Sequence, residues 1–157
     1  MILFFLPALK GYISRPIMDL TFNYSPGYAY DLLEALGSEG RNFYIFSEFL
    51  DFIYLAIYSI FFTLLMAYMF KKAGVGVDGG FVFKLVLLTP VVGFFDLLEN
   101  ICFLSMLFNF PERHDNLAVI ANVFTLSKWI IFYTVCLVLL ALIVLLLFRS
   151  FRKSQKG

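Results

Sequence analysis

Apolar residues fall into three long stretches, 43–70, 82–109 and 116–148, separated by short polar intervals. A helix rises about 1.5 Å per residue, so each stretch can cross the roughly 30 Å hydrocarbon layer of a bilayer. The pattern predicts three strong transmembrane helices. Asn109-Phe110-Pro111 closes the second, and Asp115 or Asn116 supplies a plausible N-cap for the third. The third stretch exceeds the span length, so it is expected to tilt or to project into water.

The first forty residues are patterned differently. Residues 1–17 begin apolar, but Pro7, Lys10, Arg15 and Pro16 interrupt them. They lack the basic start and small-residue cleavage site of a signal peptide and are expected to form a short membrane-inserted helix. A polar connection follows over 19–42. Within it Ser25-Pro26 is a helix start, Gly37 is a stop, and Tyr28, Leu32, Leu33 and Leu36 share one face. This predicts a short amphipathic helix over 26–36, lying on the membrane surface with Tyr28 and Tyr30 at headgroup level. The chain is thus expected to be a single, all-α, polytopic membrane domain: four membrane helices, the first short, plus a surface helix and a basic tail at 149–157.

Polar residues inside the spans are not scattered. On the first span Tyr44, Ser47, Glu48, Asp51, Tyr54 and Tyr58 recur at intervals of three and four. Thr89, Gly93, Asp96 and Asn100 do so on the second, with Glu99 adjacent, and Asn122, Thr125, Trp129 and Tyr133 on the third, beside Lys128. The simplest explanation is that three wet faces meet inside a bundle.

Depth narrows the choice of functional residues. Asp51 is about 12 Å below the start of its span. Glu99 and Lys128 fall in the same half of theirs, so charges from three helices are expected to converge about 5–10 Å from the bilayer midplane. Charged groups at that depth cost from roughly 2.5 kcal/mol on insertion scales to more than 10 in simulations. A chain that keeps them needs a partner, a proton or a wet pocket. Lys128 is the natural counter-ion for Glu99 or Asp51. Asp96, the deepest, is the candidate for holding a proton. Asp51, Asp96, Glu99, Asn100, Lys128, Tyr54, Tyr58 and Asn122 are therefore the candidate ligand or proton-site residues.

Composition agrees with the membrane class. Of 157 residues, 62% are hydrophobic and only 15% charged, against roughly a quarter charged in soluble domains. A net charge of +1 with no basic aromatic surface gives no reason to expect nucleic-acid binding. Cys102 and Cys136 lie in apolar stretches without paired spacing and read as inert thiols. The sole histidine, His114, is in a polar loop, which argues against haem held between helices. Glu112, His114 and Asp115 lack a second cluster to complete a metal shell. Gly74-Val75-Gly76-Val77-Asp78-Gly79 matches a dinucleotide fingerprint only formally, because the strand and helix that motif needs are missing around it. No cofactor or metal is expected. Asn23-Tyr24-Ser25 is a glycosylation sequon with a disfavouring Pro26 after it.

Charge also predicts orientation. Lys71, Lys72 and Lys84 follow the first span, and Arg149, Arg152, Lys153 and Lys156 follow the third, two crossings later. Both sets can lie on the cytoplasmic side, which places the C-terminus inside.

Tyr24-Ser25-Pro26, then Gly37-Ser38-Glu39-Gly40-Arg41 with Tyr44, then Asp51, Asp96-Leu97-Leu98-Glu99-Asn100 and Lys128-Trp129 resemble the motif order of a family of small bacterial membrane proteins with no assigned function. The resemblance covers about residues 19–135. It implies four helices with this motif order and no more; the expected location is a bacterial inner membrane. A more distant architectural likeness is to sterol-isomerase-like emopamil-binding proteins, which also use intramembrane acids; no residue is carried over from them.

Three classes of function remain open. The first is binding or transport of a small or lipid-like ligand through the acidic/Lys cluster. The second is an accessory role beside a membrane-protein partner or a second copy. The third is a membrane enzyme acting on a lipid, with Asp96 or Glu99 as general acid/base.

Overall fold

The computed structural model describes residues 11–13, 16–77 and 80–154. The expected short membrane helix at 1–17 rests mainly on positions outside the described residues. Among the described residues there are four α-helices and no strand: α1 (Pro26–Ala35), α2 (Gly37–Lys72), α3 (Gly80–Asn109) and α4 (Asp115–Ser154), preceded by a 3-10 turn at Met18–Leu20. The protein is an all-α bundle in which α2, α3 and α4 are long and apolar enough to cross a membrane.

Local chemistry explains the boundaries. The Ser25 hydroxyl accepts from the Tyr28 amide at 3.2 Å, and Pro26 at the first helical position needs no partner for a missing N–H. Gly37 stops α1 with a left-handed φ of 63°, a conformation that costs glycine nothing. The chain then re-enters a helix at once, so α2 begins six residues before its apolar stretch. Residues 38–42 are compatible with a helix but carry no apolar periodicity, which is why they read as connection. Arg41, in this added turn, donates to the Leu33 carbonyl at 3.0 Å and lies 4.3 Å from the Phe110 ring centre.

The amphipathic helix forms, but its apolar side does not face lipid. Ala29, Tyr30, Leu32, Leu33 and Leu36 are buried in a core shared with Tyr44, Phe103, Met106, Ala118 and Ala121. Tyr30, expected at headgroup level, is 3% exposed, and its hydroxyl accepts from the His114 amide at 2.6 Å. The bundle's open end offers closer packing than a headgroup layer does. Tyr28 is half-buried and donates to the Pro16 carbonyl at 2.7 Å.

A second core lies at the other end, built from Met66, Phe70, Ala73, Val86, Val92, Val135 and Leu142. Arg149 of α4 closes that end by donating to the Ala73 carbonyl just past α2. Most remaining large apolar side chains, such as Ile53, Ile57, Leu64, Leu137 and Phe148, are exposed, as lipid-facing residues would be.

Between the cores α2 and α3 approach closely. Gly93 faces Ser59, and a β-carbon there would overlap Ser59 Oγ and lie 3.2 Å from Ser59 Cβ. Pro90, one turn earlier, deprives the Val86 carbonyl of its helical donor. The Thr89 hydroxyl takes over that bond at 2.7 Å and meets Thr63 Oγ1 across the interface at 2.7 Å. Side-chain hydroxyls thus restore what proline removes.

Candidate functional site

Helical spacing puts Asp96, Glu99 and Asn100 on the buried face of α3, Asp51 on that of α2, and Thr125 on that of α4. At their centre is Lys128 of α4. Its ammonium donates to Asp96 Oδ1 at 2.9 Å and also pairs with Glu99 Oε2. The lysine side chain is 12% exposed and that of Glu99 fully buried. A buried pair of this kind is tolerated because each charge has its partner; removal of one partner leaves the other stranded.

Neutral donors extend the network in both directions. Tyr58 of α2 donates to Asp96 Oδ2 at 2.6 Å. Thr125 donates to Glu99 Oε1 at 2.6 Å, and the Tyr24 hydroxyl lies 3.4 Å from Thr125 Oγ1. One connected chain of polar groups therefore runs from Tyr24, in the segment before α1, through α4 and α3 to Tyr58 on α2.

Asp51 stands apart from the ion pair. Lys128, expected to pair with Glu99 or Asp51, pairs with Glu99 and also with Asp96, and Asp51 Oδ2 accepts from Asn100 Nδ2 at 2.7 Å. Asp96 and Glu99 lie on successive turns of α3, and both reach Lys128 of α4. Asp96, expected to hold a proton, has both oxygens in hydrogen bonds, Oδ1 accepting from Lys128 and Oδ2 from Tyr58.

The Asp51–Asn100 pair has hydrogen-bonding capacity to spare. Asn100 is 0% exposed, one of its two amide N–H groups donates to Asp51, and its Oδ1 is buried with no hydrogen-bond partner among the described residues. An orphaned buried acceptor costs roughly 1–3 kcal/mol, and such groups in native proteins normally bond to water or to a ligand.

Two candidates serve elsewhere. Asn122 anchors the chain before α1: its Oδ1 accepts from the Tyr24 amide at 3.1 Å and its Nδ2 donates to Asn23 Oδ1 at 2.8 Å. Tyr54 is 48% exposed, and its ring packs on Tyr58 with centres 5.3 Å apart. Conversely, Tyr24 and Thr125 belong to the network and Glu48 to the buried interior, though none was a candidate. Thr125 and Glu48 lay on the polar stripes and could have been chosen by depth. Tyr24 carried no such signal, because nothing in a loop residue's sequence context tells which helix it will meet.

Comparison with protein-family models, curated proteins and solved structures found no match. The reading of function therefore rests on this chain's own geometry.

Proposed function

We propose that this protein is an integral membrane binding protein or small transporter, and that a small or lipid-like molecule with a polar head is its ligand. The polar layer of Asp51, Asp96, Glu99, Asn100 and Lys128 is the site. The observation that carries this reading is the unspent acceptor Asn100 Oδ1, fully buried beside Asp51. The Lys128 ion pairs join α4 to α3, and the Tyr58–Asp96 and Asn100–Asp51 hydrogen bonds join α2 to α3. The exposed Tyr54, its ring tilted against that of Tyr58 and one turn from Asp51, marks the side from which a ligand would approach through lipid. Positive-inside bias puts the Lys71, Lys72, Arg149 and Arg152 end, with the C-terminus, in the cytoplasm of a bacterial cell.

The test is native mass spectrometry of the protein extracted from its own membrane in mild detergent. Wild type should retain an adduct of lipid or metabolite mass, and Asn100→Leu and Asp51→Leu should lose it while keeping helical circular dichroism. Identical bare masses for wild type and variants would remove the reading.

Saturation of Lys128 by two carboxylates favours a second reading, in which the cluster only fixes helix register and the chain is an accessory subunit of a larger complex. Migration as a lone chain on native gels, straight from its own membrane, would dispose of it.

A further inference from the structure

We infer that the end of the bundle where α2 finishes, α3 starts and α4 emerges is a binding site for an anionic phospholipid. Its phosphate lies among Lys71, Lys72, Lys84, Arg149 and Arg152. The site is separate from the Asp51–Lys128 layer and does not depend on what that layer does.

Charge is unbalanced there. Lys71 and Lys72 end α2, Lys84 lies one turn into α3, and Arg149 and Arg152 belong to the last turns of α4. All five are exposed, and among the described residues none of them is in an ion pair. Asp78, the one acidic residue that the sequence puts between α2 and α3, lies outside the described residues. The opposite end is arranged otherwise: Arg113 pairs with Asp115 at 3.4 Å, and Arg41 is spent on the Leu33 carbonyl.

Helix ends explain only part of this. Cations complement the negative C-termini of α2 and α4, but Lys84 is near the positive N-terminus of α3, where a cation is disfavoured. An anion beside it would be attracted by both. Arg149 brings the ends of two helices together, because its guanidinium donates to the carbonyl of Ala73, the residue after Lys72. That anchor uses one N–H and leaves the rest of a planar fork beside the end of α2. Such a fork matches phosphate oxygens two at a time.

The surrounding surface selects a lipid over a soluble anion. Tyr68, Phe81, Phe148 and Phe151 are each more than half exposed. Tyr68 and Phe148 precede Lys72 and Arg152 by one helical turn, and the Lys72 ammonium lies 5.8 Å from the Tyr68 ring centre. Rings at that level meet the acyl and glycerol part of a lipid, while cations one turn further out meet its head group. A zwitterionic head brings its own ammonium and would leave this cluster uncompensated. An anionic head does not.

The experiment offers the full chain, in a maltoside detergent, equal amounts of dioleoylphosphatidylglycerol and dioleoylphosphatidylcholine, and weighs the lipids it retains by native mass spectrometry. Wild type should keep the anionic lipid several-fold in preference. Lys71→Gln with Lys72→Gln should weaken that retention roughly ten-fold, and Lys84→Gln several-fold. Arg113→Gln, at the opposite end, should leave it unchanged. The substituted side chains are exposed, and helical circular dichroism checks that each variant folds; the preference shown by wild type is a readout that needs no variant. A parallel titration with glycerol 3-phosphate separates a lipid from a soluble anion. It should leave the wild-type Tm unmoved at concentrations where the anionic lipid raises it. Equal retention of the two lipids by wild type, or an equal loss in Arg113→Gln, would overturn the site. A Tm rise from glycerol 3-phosphate that matches the lipid's would overturn the lipid assignment.

Discussion

Around Glu99 the long helices and the chain before α1 meet through charges and hydroxyls; around Met66 the same helices meet through methyl groups and rings. The two ends are sealed by opposite means. At one, α1 folds its apolar face into the bundle and Tyr30, Arg41 and Asn122 tie the chain to its neighbours. At the other, Arg149 reaches one carbonyl, a single Thr63–Thr89 bond joins α2 to α3, and the helices otherwise pack. In lipid the hydrophobic effect does not draw helices together, because the tails are as apolar as the side chains. The Met66 end therefore has fewer directional bonds to set its register. Directional bonds at the Glu99 end are more numerous. The contrast teaches that register is decided in one half of the bundle and inherited by the other.

The sharpest way to break that contrast is Lys128→Met. It strands Asp96 and Glu99, and a loss of about 3–5 kcal/mol is expected, read as a large fall in detergent Tm. The triple change Lys128→Met, Asp96→Asn, Glu99→Gln should recover most of it. Recovery that fails would mean the charges serve something other than mutual compensation. A smaller effect is expected at the helix contact just beyond the charged layer. Gly93→Ala should cost about 1–3 kcal/mol by overpacking, and Ser59→Gly in the same chain should relieve it, since Ser59 is what the new methyl meets. Additive losses in that double variant would show that the helices had already shifted apart. The smallest is Thr89→Val, which leaves the Val86 carbonyl above Pro90 without its donor. A loss of about 1 kcal/mol is expected. It should appear as faster amide exchange over residues 86–93, with the Lys128 layer unchanged; spread of that exchange to Asp96 and beyond would tie the two halves more tightly than the bonding pattern does.

Much of this was legible in residue order. Three apolar stretches, the Ser25-Pro26 start and the Gly37 break follow from chain chemistry, and the stripes of Asp51, Asp96, Asn100 and Thr125 announced which faces would turn inward. That Asp51, Asp96, Glu99 and Lys128 share one layer was also readable, because depth along a helix is a matter of counting. The pairing was not. Whether Lys128 would choose Glu99 or Asp51 depends on helix rotation about each axis, and a stripe tells the face without telling which neighbour it meets.

The same division holds for the chain before α2. Its amphipathic pattern determined that a helix would form over Pro26–Ala35 and which side of it would be buried. It said nothing of what would bury that side, since lipid and protein are alike to a hydrophobic face. Only the tertiary structure decided that Leu32, Leu33 and Tyr30 close the bundle, and that Tyr24 reaches Thr125 across 101 residues of sequence. Periodicity acts within a segment and is written in its residues, whereas partner choice arises between segments and is settled by geometry in three dimensions.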